Sequence, residues 1–329
     1  MTRRLFRLLG VFLLLGLIAV GGTFGWGYAQ FTRPGPAQFD RSVVLAKGSG
    51  LKGIADRLAE AGVIDRPLVF RLGVRLAGWA RSLRAGEFQF PAQTSPLGAA
   101  KILRLGITVV RRMTVPEGLS SNQVVVLLQQ TEGLRGEITN VPAEGTLLPE
   151  TYHFSHGDER VVLLARMTGA MDTALAKLWP LRDQGLPFAN PDEARVLAAM
   201  VEKETSLPEE RPRIAGVFIN RLRRGMRLQS DPTVVYGLTL GRAPLGRALR
   251  RGDLDRPTPY NTYRISGLPP GPIANPGRAA IQAVLHPIAS NDLYFVANGA
   301  GGHVFAPTFA QHRRNVRRWR RANATPRRE

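Results

Sequence analysis

The chain has 329 residues, no cysteine and a formal net charge of +20. This length is typical of about two domains, and a hydrophobic content of 44% is ordinary for a chain that forms folded cores. Without cysteine the chain can form no disulfide, thiolate zinc site or cysteine nucleophile. The charge favours an anionic partner, which leaves nucleic acid, anionic lipid and acidic polymers as alternatives.

The apolar segment 8–32 contains no charged residue, and its densest part, 8–28, is long enough to span a bilayer as a helix. Three arginines lie in residues 1–7, so the positive-inside rule predicts a cytoplasmic tip there. Trp26 and Tyr28 fall near the far end, where amphipathic rings favour the interface. A cleaved signal peptide is the competing interpretation, but the apolar run is long and no A-x-A site follows it. We therefore expect a single-pass protein of the inner (cytoplasmic) membrane with its remaining residues in the periplasm, which argues against nucleic acid as a partner.

The segment 29–39 contains a Pro-Gly-Pro sequence and is predicted to be a linker. Residues 40–106 then alternate strand-like and helix-like patterns, which predicts a small α+β module. Ile54, Leu58 and Val63 would line the core side of its first amphipathic helix. Nothing in this module indicates catalysis, so a spacer or binding role is the default expectation.

A second strand–turn–helix pattern follows at 107–134, with a P-E-G turn and a Ser-capped helix. From about residue 140 the chain is loop-dense, with interleaved aromatic residues and a strand-like "LYFVAN" near its end. Helical patterns are predicted at about 160–177, 191–204, 211–225 and 276–285. The expected fold class is therefore α+β: one transmembrane helix, a small module, then a mainly helical region with short strands and long site-forming loops.

The last segment, 313–329, holds eight arginines and one glutamate, a net charge of +7. We interpret it as a solvated basic tail. Contact with anionic polymers or lipid head groups is the alternative interpretation.

Two acids lie at the end of the apolar helix pattern in "VLAAMVEKET". On a helical wheel of about 100° per residue, Glu204 falls within the apolar stripe that contains Leu197 and Val201. Glu202 falls beside Arg195 instead, where it can face water and form an ion pair. A carboxyl among apolar side chains keeps its proton to higher pH, because burial disfavours the charged form. Glu204 is thus the candidate proton donor to a leaving oxygen near neutral pH.

Two other interpretations compete with an acid catalyst. Glu204 could be a structural acid paired with Arg221 in the next helix. The segment "HFSHGD" offers His153, His156 and Asp158 as metal ligands, but the chain has only five histidines and no H-E-x-x-H motif, which disfavours a catalytic metal.

Several long motifs occur in one order along residues 140–312: "LPETYHF", "MVEKET", "RIAGVFINRLRRGMRLQSDPTVVYG", "TPYNTYRISGLPPGPIANPG" and "LYFVANGAGGHVFAPTFAQH". This series closely resembles the YceG-like family of endolytic murein transglycosylases. Residues 40–106 are similar to the LysM-like module that precedes the catalytic region in that family, which would here span 107–312. The single membrane anchor also matches the family.

The resemblance implies cleavage of the β-1,4 bond between N-acetylmuramic acid and N-acetylglucosamine inside nascent glycan strands. The reaction would be non-hydrolytic and would leave 1,6-anhydro ends. The family's catalytic acid falls on Glu204, acting first as acid and then as base, and no cofactor is implied. The expected partners are peptidoglycan strands and the inner membrane, with proteins of cell-wall synthesis as further candidates. A non-catalytic peptidoglycan-binding scaffold of the synthesis machinery is the alternative.

The candidate substrate-binding residues come from the loop motifs and were chosen for side chains that bind sugar hydroxyls, bind acetamido groups or stack on rings. They are Glu150, Asn220, Gln229, Asp231, Tyr260, Asn261, Thr262, Tyr263, Asn275 and His303. Structural roles are the alternatives: a turn or cap acid for Glu150 and Asp231, a surface amide for Asn220, and aromatic packing for the tyrosines. Asn220 could also orient Glu204.

Overall fold

The computed structural model describes residues 2–324, with side chains described from 7 to 322. The chain forms two compact units. One comprises the chain up to Arg111 together with His153–Asp158, and the other comprises Arg112–Tyr152 and the chain from Glu159 onwards. The predicted tip 1–7 and tail 313–329 lie partly outside the described residues.

The first unit begins with helix α1, Thr2–Thr32. Its part Arg7–Thr32 contains an 18-residue stretch with a mean hydropathy of 2.2 and is long and apolar enough to cross a membrane. The helix extends past the predicted end at residue 28, so residues 29–32 are helical and not part of a linker. Nothing in 29–32 breaks a helix, whereas the residue before Pro34 is disfavoured in helical conformation. Phe31, in the last turn, is buried in the core of this unit.

The module after the linker contains two strands and three helices. They are β1 (Arg41–Leu45), α2 (Leu51–Glu60), α3 (Pro67–Leu76), β2 (Gly86–Phe90) and α4 (Pro96–Leu105). β1 and β2 pair antiparallel with Val43 opposite Phe88. Ile54, Leu58 and Val63 are buried as predicted, but Val63 lies in the turn after α2 and not on the helix itself. Helix α3 was not predicted, although Pro67 at its first turn and the buried Phe70 and Val74 follow helical rules.

Strands β3 (Val110–Thr114) and β4 (Thr151–Ser155) form a second two-stranded sheet. Helix α5 (Ser121–Gln130) lies between them in sequence and has the predicted serine cap, a capping box formed by Ser120 and Gln123. β4 replaces part of a segment expected to be turn-rich. There the side chains of Tyr152 and Phe154 are buried, which is the alternation of a half-buried strand.

The second unit is mainly helical. Its remaining elements are α6 (Arg160–Leu178), α7 (Pro191–Glu204), α8 (Arg211–Arg223), α9 (Asp231–Thr239), α10 (Arg251–Asp255), α11 (Arg278–Leu285), β5 (Tyr294–Ala297), β6 (His303–Ala306) and α12 (Phe309–Ala324). Helix α7 packs against α8 and α11 around one apolar core, and β5 pairs antiparallel with β6.

Two sequence expectations for this unit are corrected. Helices α9 and α10 occupy part of the region expected to be loop, because the turn residues there cap short helices as well as loops. The basic segment, expected to be a solvated tail, has exposed arginines but is helical from residue 313 to 324, where it belongs to α12, which packs on β5 and β6.

Candidate active site

Helix α7 positions Glu204 at its C-terminal end, on the buried side. The helix starts after Asn190, whose side chain accepts a hydrogen bond from the backbone N–H of Glu193. Leu197 and Val201, on the same face as Glu204, are fully buried. At Thr205 the backbone becomes extended, which ends the helix directly after the acid.

Glu204 is half-buried, with the apolar face of α7 on one side and a cavity on the other. The hydroxyl of Ser230 donates a short hydrogen bond of 2.5 Å to its Oε1. Burial raises the pKa of Glu204 from 4.5 to about 7, even though the hydrogen bond from Ser230 lowers it. The negative charge of Asp231 raises this pKa further, whereas His303 and Arg221 lower it. Glu204 is therefore protonated in a large share of molecules at neutral pH, which is the state a proton donor needs.

Ser230 is held in place from the other side. Its backbone N–H donates to the hydroxyl of Thr262 at 2.9 Å, and that hydroxyl also lies 2.8 Å from the hydroxyl of Thr233. Gln229, just before it, has a positive φ of 52° and donates its backbone N–H to the carbonyl of Thr262 at 3.2 Å. The donor to Glu204 is thus fixed by a buried hydrogen-bond network.

Arg221 does not form the structural ion pair that the sequence left open. Its guanidinium is buried and donates to the backbone carbonyls of Leu293 at 2.6 Å and Leu228 at 2.8 Å. It also lies over the ring of Tyr294. Within the described residues no ion pair joins it to Glu204, so Arg221 acts on the acid only through its charge.

Glu202 differs from its expectation. Its side chain is only 4% exposed, where the wheel predicts contact with water and a pair with Arg195. Instead, Arg211 Nη2 donates to Oε1 and the backbone N–H of Gly277 donates to Oε2, each at 2.8 Å. Arg195 pairs with Asp192. The wheel gives the direction of a side chain but not the groups that other segments pack against it.

A cavity of about 430 Å³ opens beside Glu204. Its lining residues are Glu117, Gly118, Glu202, Lys203, Glu204, Thr205, Ser206 and Arg211. Arg211 Nη2 also donates to Glu117 Oε2 at 2.8 Å, so one arginine bridges two acids of the wall. The sequence patterns do not predict the roles of Glu117 and Arg211 or the hydrogen bond from Ser230. The P-E-G turn before a capped helix is the one signal that could have drawn attention to Glu117.

Several predicted substrate-binding residues lie around the acid. Gln229 and Thr262 belong to the network that holds Ser230, and the hydroxyl of Tyr263 donates to Asp231 Oδ1 at 2.7 Å. Burial raises the pKa of Tyr263, so it stays a donor at neutral pH.

His303 is anchored by a neighbouring acid. Its backbone N–H donates to Glu210 Oε1 and its ring Nδ1 lies 2.7 Å from Glu210 Oε2. The hydroxyl of Thr205 also donates to Glu210 Oε2 at 3.3 Å, which links this pair to the end of α7.

The asparagines predicted to bind substrate form hydrogen bonds with backbone groups. Asn220 donates to the carbonyls of Ser290 and Asp292, and so it does not hydrogen-bond Glu204. Asn261 is fully buried and donates to the carbonyls of Leu254 and Arg256 at the end of α10. Asn275 is also fully buried, donates to the carbonyl of Leu119 and accepts from the N–H of Leu147. All three fix loop shape.

Tyr260 and Glu150 make their contacts elsewhere. Tyr260 packs edge-on against Tyr236, with ring centroids 4.7 Å apart. Glu150 is exposed, and its backbone carbonyl accepts from the N–H of Val115. Among the described residues no hydrogen bond joins either one to Glu204 or Ser230.

The histidine-containing segment before α6 forms a turn, in which Asp158 Oδ2 accepts from the backbone N–H of Ser155 at 2.8 Å. In the part of the chain that the structure describes, no group of three or more His, Asp or Glu side chains could hold a metal ion.

The sequence profile of the YceG-like family matches residues 43–318 of this chain. The chain belongs to the YceG-like family. Among curated relatives, the endolytic murein transglycosylase of Streptococcus pneumoniae serotype 2 (strain D39) is 28% identical, over 92% of this chain and 63% of its own length. The endolytic murein transglycosylase of Bacillus subtilis (strain 168) is also 28% identical, over 90% of this chain and 89% of its own length.

A crystal structure of a yceG-like protein from Listeria monocytogenes is similar to this fold, with a TM-score of 0.52 and 27% identity. It covers 84% of this chain and 99% of its own. This chain spans less than two thirds of the length of the pneumococcal relative, so the activity of that whole protein comes to it only as a proposal.

Proposed function

We propose that this chain is a membrane-anchored endolytic lytic transglycosylase of peptidoglycan, with Glu204 as its general acid and then base. The observation that carries the proposal is the carboxyl of Glu204, whose pKa is raised to about 7 by burial and which borders a polar cavity. The names of the curated relatives support the same activity.

In the proposed reaction, Glu204 protonates the oxygen of the β-1,4 bond between N-acetylmuramic acid and N-acetylglucosamine. The bond from C1 of the muramic sugar to that oxygen breaks, and the oxygen leaves as a hydroxyl. The carboxylate then takes the proton of the sugar's own C6 hydroxyl, whose oxygen bonds to C1 and closes a 1,6-anhydro ring. No water is consumed, and Glu204 ends in its starting state.

One carboxyl can serve both steps because the nucleophile belongs to the substrate. A hydrolytic glycosidase usually uses two carboxylates, one of them to activate water or attack the sugar. An intramolecular hydroxyl has a high effective concentration and needs only its proton removed. Because Ser230 occupies Oε1, the proton that is transferred would be carried on Oε2.

The further roles are proposals of the same kind. Four residues would bind the sugars on either side of the cleaved bond, because each has polar atoms among the side chains that surround Glu204. They are Gln229, Asp231, Tyr263 and His303. The module at 40–106 would be LysM-like, and α1 would hold the enzyme in the inner membrane with its catalytic region in the periplasm. Nascent glycan strands and proteins of cell-wall synthesis would be its partners.

The test uses the detergent-solubilised full chain, as wild type and as Glu204→Gln, with uncrosslinked peptidoglycan strands. Glu209→Gln is the matched control, because Glu209 is an exposed acid between α7 and α8, five residues after Glu204. Mass spectrometry of the product ends should show anhydro-muramic acid for wild type and control. Glu204→Gln should lose about 100-fold or more in rate, the usual contribution of a general acid.

Two other outcomes would contradict this proposal. Reducing ends would indicate a hydrolase, with Glu117 or Glu202 of the cavity wall as the second carboxylate. Strands that are bound but left intact by all three proteins would favour a non-catalytic wall-binding scaffold.

A further inference from the structure

Helix α12 presents a one-sided cationic surface, the arginine face, formed by Arg313, Arg314, Arg317, Arg318, Arg320 and Arg321. At about 100° per residue these six side chains fall within an arc of about 160°, along roughly 12 Å of helix. All six are exposed, and the helix contains no acid. The arrangement is a surface of one charge sign and not a scatter of arginines.

The opposite side of α12 packs against strand β5. His312 stacks on Tyr294 of β5 with ring centroids 5.1 Å apart, and Phe309 lies 5.8 Å from the same ring. Asn315 and Val316 on this side are half-buried. Because this side packs on β5 and β6, the arginine face has a fixed orientation on the unit. The apolar side of α12 is therefore not available for insertion into a partner, which would contact the arginines alone.

Most of the arginine face is not neutralised by the part of the unit that the structure describes. Among those residues, no acid pairs with Arg313, Arg314, Arg317, Arg318 or Arg320 at ion-pair distance. Like charges four residues apart, such as Arg313 with Arg317, destabilise a helix. A partner with closely spaced negative charges would relieve that repulsion, so the face is complementary to a polyanion.

We propose that the arginine face of α12 is a docking surface for the head groups of an anionic phospholipid bilayer. Guanidinium groups bind phosphate oxygens in a bidentate manner, which suits phospholipid head groups. The chain itself carries a helix that is apolar enough to span a membrane, and such an anchor would hold a bilayer at high effective concentration. Binding through charge alone should weaken as salt rises.

The experiment uses the full chain in nanodiscs of phosphatidylcholine, titrated with separate vesicles of phosphatidylcholine alone or mixed with phosphatidylglycerol. Because the chain has no cysteine, Ala322→Cys gives one labelling site for a fluorophore at the exposed end of α12. Energy transfer to labelled lipid then reports approach of α12 to the vesicle. The expected result is binding to the phosphatidylglycerol vesicles only, lost at high salt.

The test variant changes Arg313, Arg314, Arg317 and Arg318 to Gln. It should bind on the order of several hundredfold more weakly, since each of the four arginines near an anionic surface contributes roughly a fivefold gain. The charge-matched control removes four exposed arginines elsewhere, at positions 224, 242, 251 and 264, and should bind nearly as wild type does. Replacement of the same four α12 residues by Lys should retain most of the binding. This variant is the alternative test of the charge requirement if the Gln variant does not fold.

Three results would overturn the proposal. Equal losses in the α12 variant and the charge-matched control would assign binding to net charge alone. Equal binding to vesicles with and without phosphatidylglycerol would exclude a charge-based surface. Tighter binding, per phosphate, to a soluble glycerol phosphate polymer than to the vesicles would assign the face to a free polyanion. None of these readouts depends on catalysis.

Discussion

Replacement of Glu204 by Gln should make the stability of this protein less dependent on pH. Gln keeps the shape of the side chain and can still accept the hydrogen bond of Ser230, but it does not titrate. The folded protein holds the proton of Glu204 up to a pKa of about 7, whereas the unfolded chain releases it near 4.5. Between these values the folded state binds the extra proton, so wild-type stability falls as pH rises.

The magnitude follows from the same interval. At about 1.4 kcal/mol for each pH unit, the interval from 4.5 to about 7 corresponds to a loss of about 3 kcal/mol of wild-type stability. The stabilising effect of the protonated acid is fully present below pH 4.5 and is lost as pH rises through 7. The free energy of unfolding of Glu204→Gln minus that of wild type should therefore rise by about 3 kcal/mol across this range and stay level above it.

Denaturant unfolding of the two detergent-solubilised proteins at a series of pH values measures this difference, and titrations common to both proteins cancel in it. Glu209→Gln is again the control, because it removes an exposed glutamate between α7 and α8 and gives the baseline for the Glu204→Gln result. A Glu204→Gln difference that varies with pH no more than this baseline would refute the argument that burial raises the pKa of Glu204. The proposed proton donor would then lack its physical basis.

Three further substitutions test neighbouring features. Ser230→Ala removes the donor that lowers the pKa of Glu204, so the alkaline limb of the rate against pH should move up by about one unit in kinetic assays. Leu197→Ala, at a fully buried position of α7, should cost about 3 kcal/mol in denaturant unfolding. Gly216→Ala should destabilise by about 1 kcal/mol or more, because a Cβ there would lie 2.6 Å from the carbonyl oxygen of Ile288; stabilisation, as expected from helix propensity alone, would contradict this.

Local patterns predicted much of the fold because they depend on neighbours a few residues apart. The spacing of Leu197, Val201 and Glu204 gave both the helix and the buried direction of the acid. Helix α3 followed the same rules and was overlooked. In contrast, the end of α9 depends on Leu240 adopting a left-handed conformation with φ of 50°, which its residue type does not indicate.

The parts of the site that the sequence does not predict depend on contacts between residues far apart in the chain. Ser230 reaches Glu204 from 26 positions later in the chain, and Gly277 reaches Glu202 from 75 positions later. The periodicity of a helix or strand does not predict such long-range contacts. The roles of the loop amides were uncertain for a related reason. The side chains of Asn261 and Asn275 could bind a sugar, but an amide can equally donate to a backbone carbonyl in a turn-rich fold. In the structure both side chains donate to backbone carbonyls.

The two acids at the end of α7 show why burial alone does not select a proton donor. Burial raises the pKa of both Glu202 and Glu204. Glu202, however, accepts a hydrogen bond from a fixed donor on each oxygen, one of them the cation of Arg211, and both donors stabilise its charged form over the protonated one. Glu204 receives one neutral hydroxyl, from Ser230, and among the described residues nothing donates to its second oxygen. An acid that must give up a proton and take another back needs that second oxygen, and on this helix end only Glu204 has it.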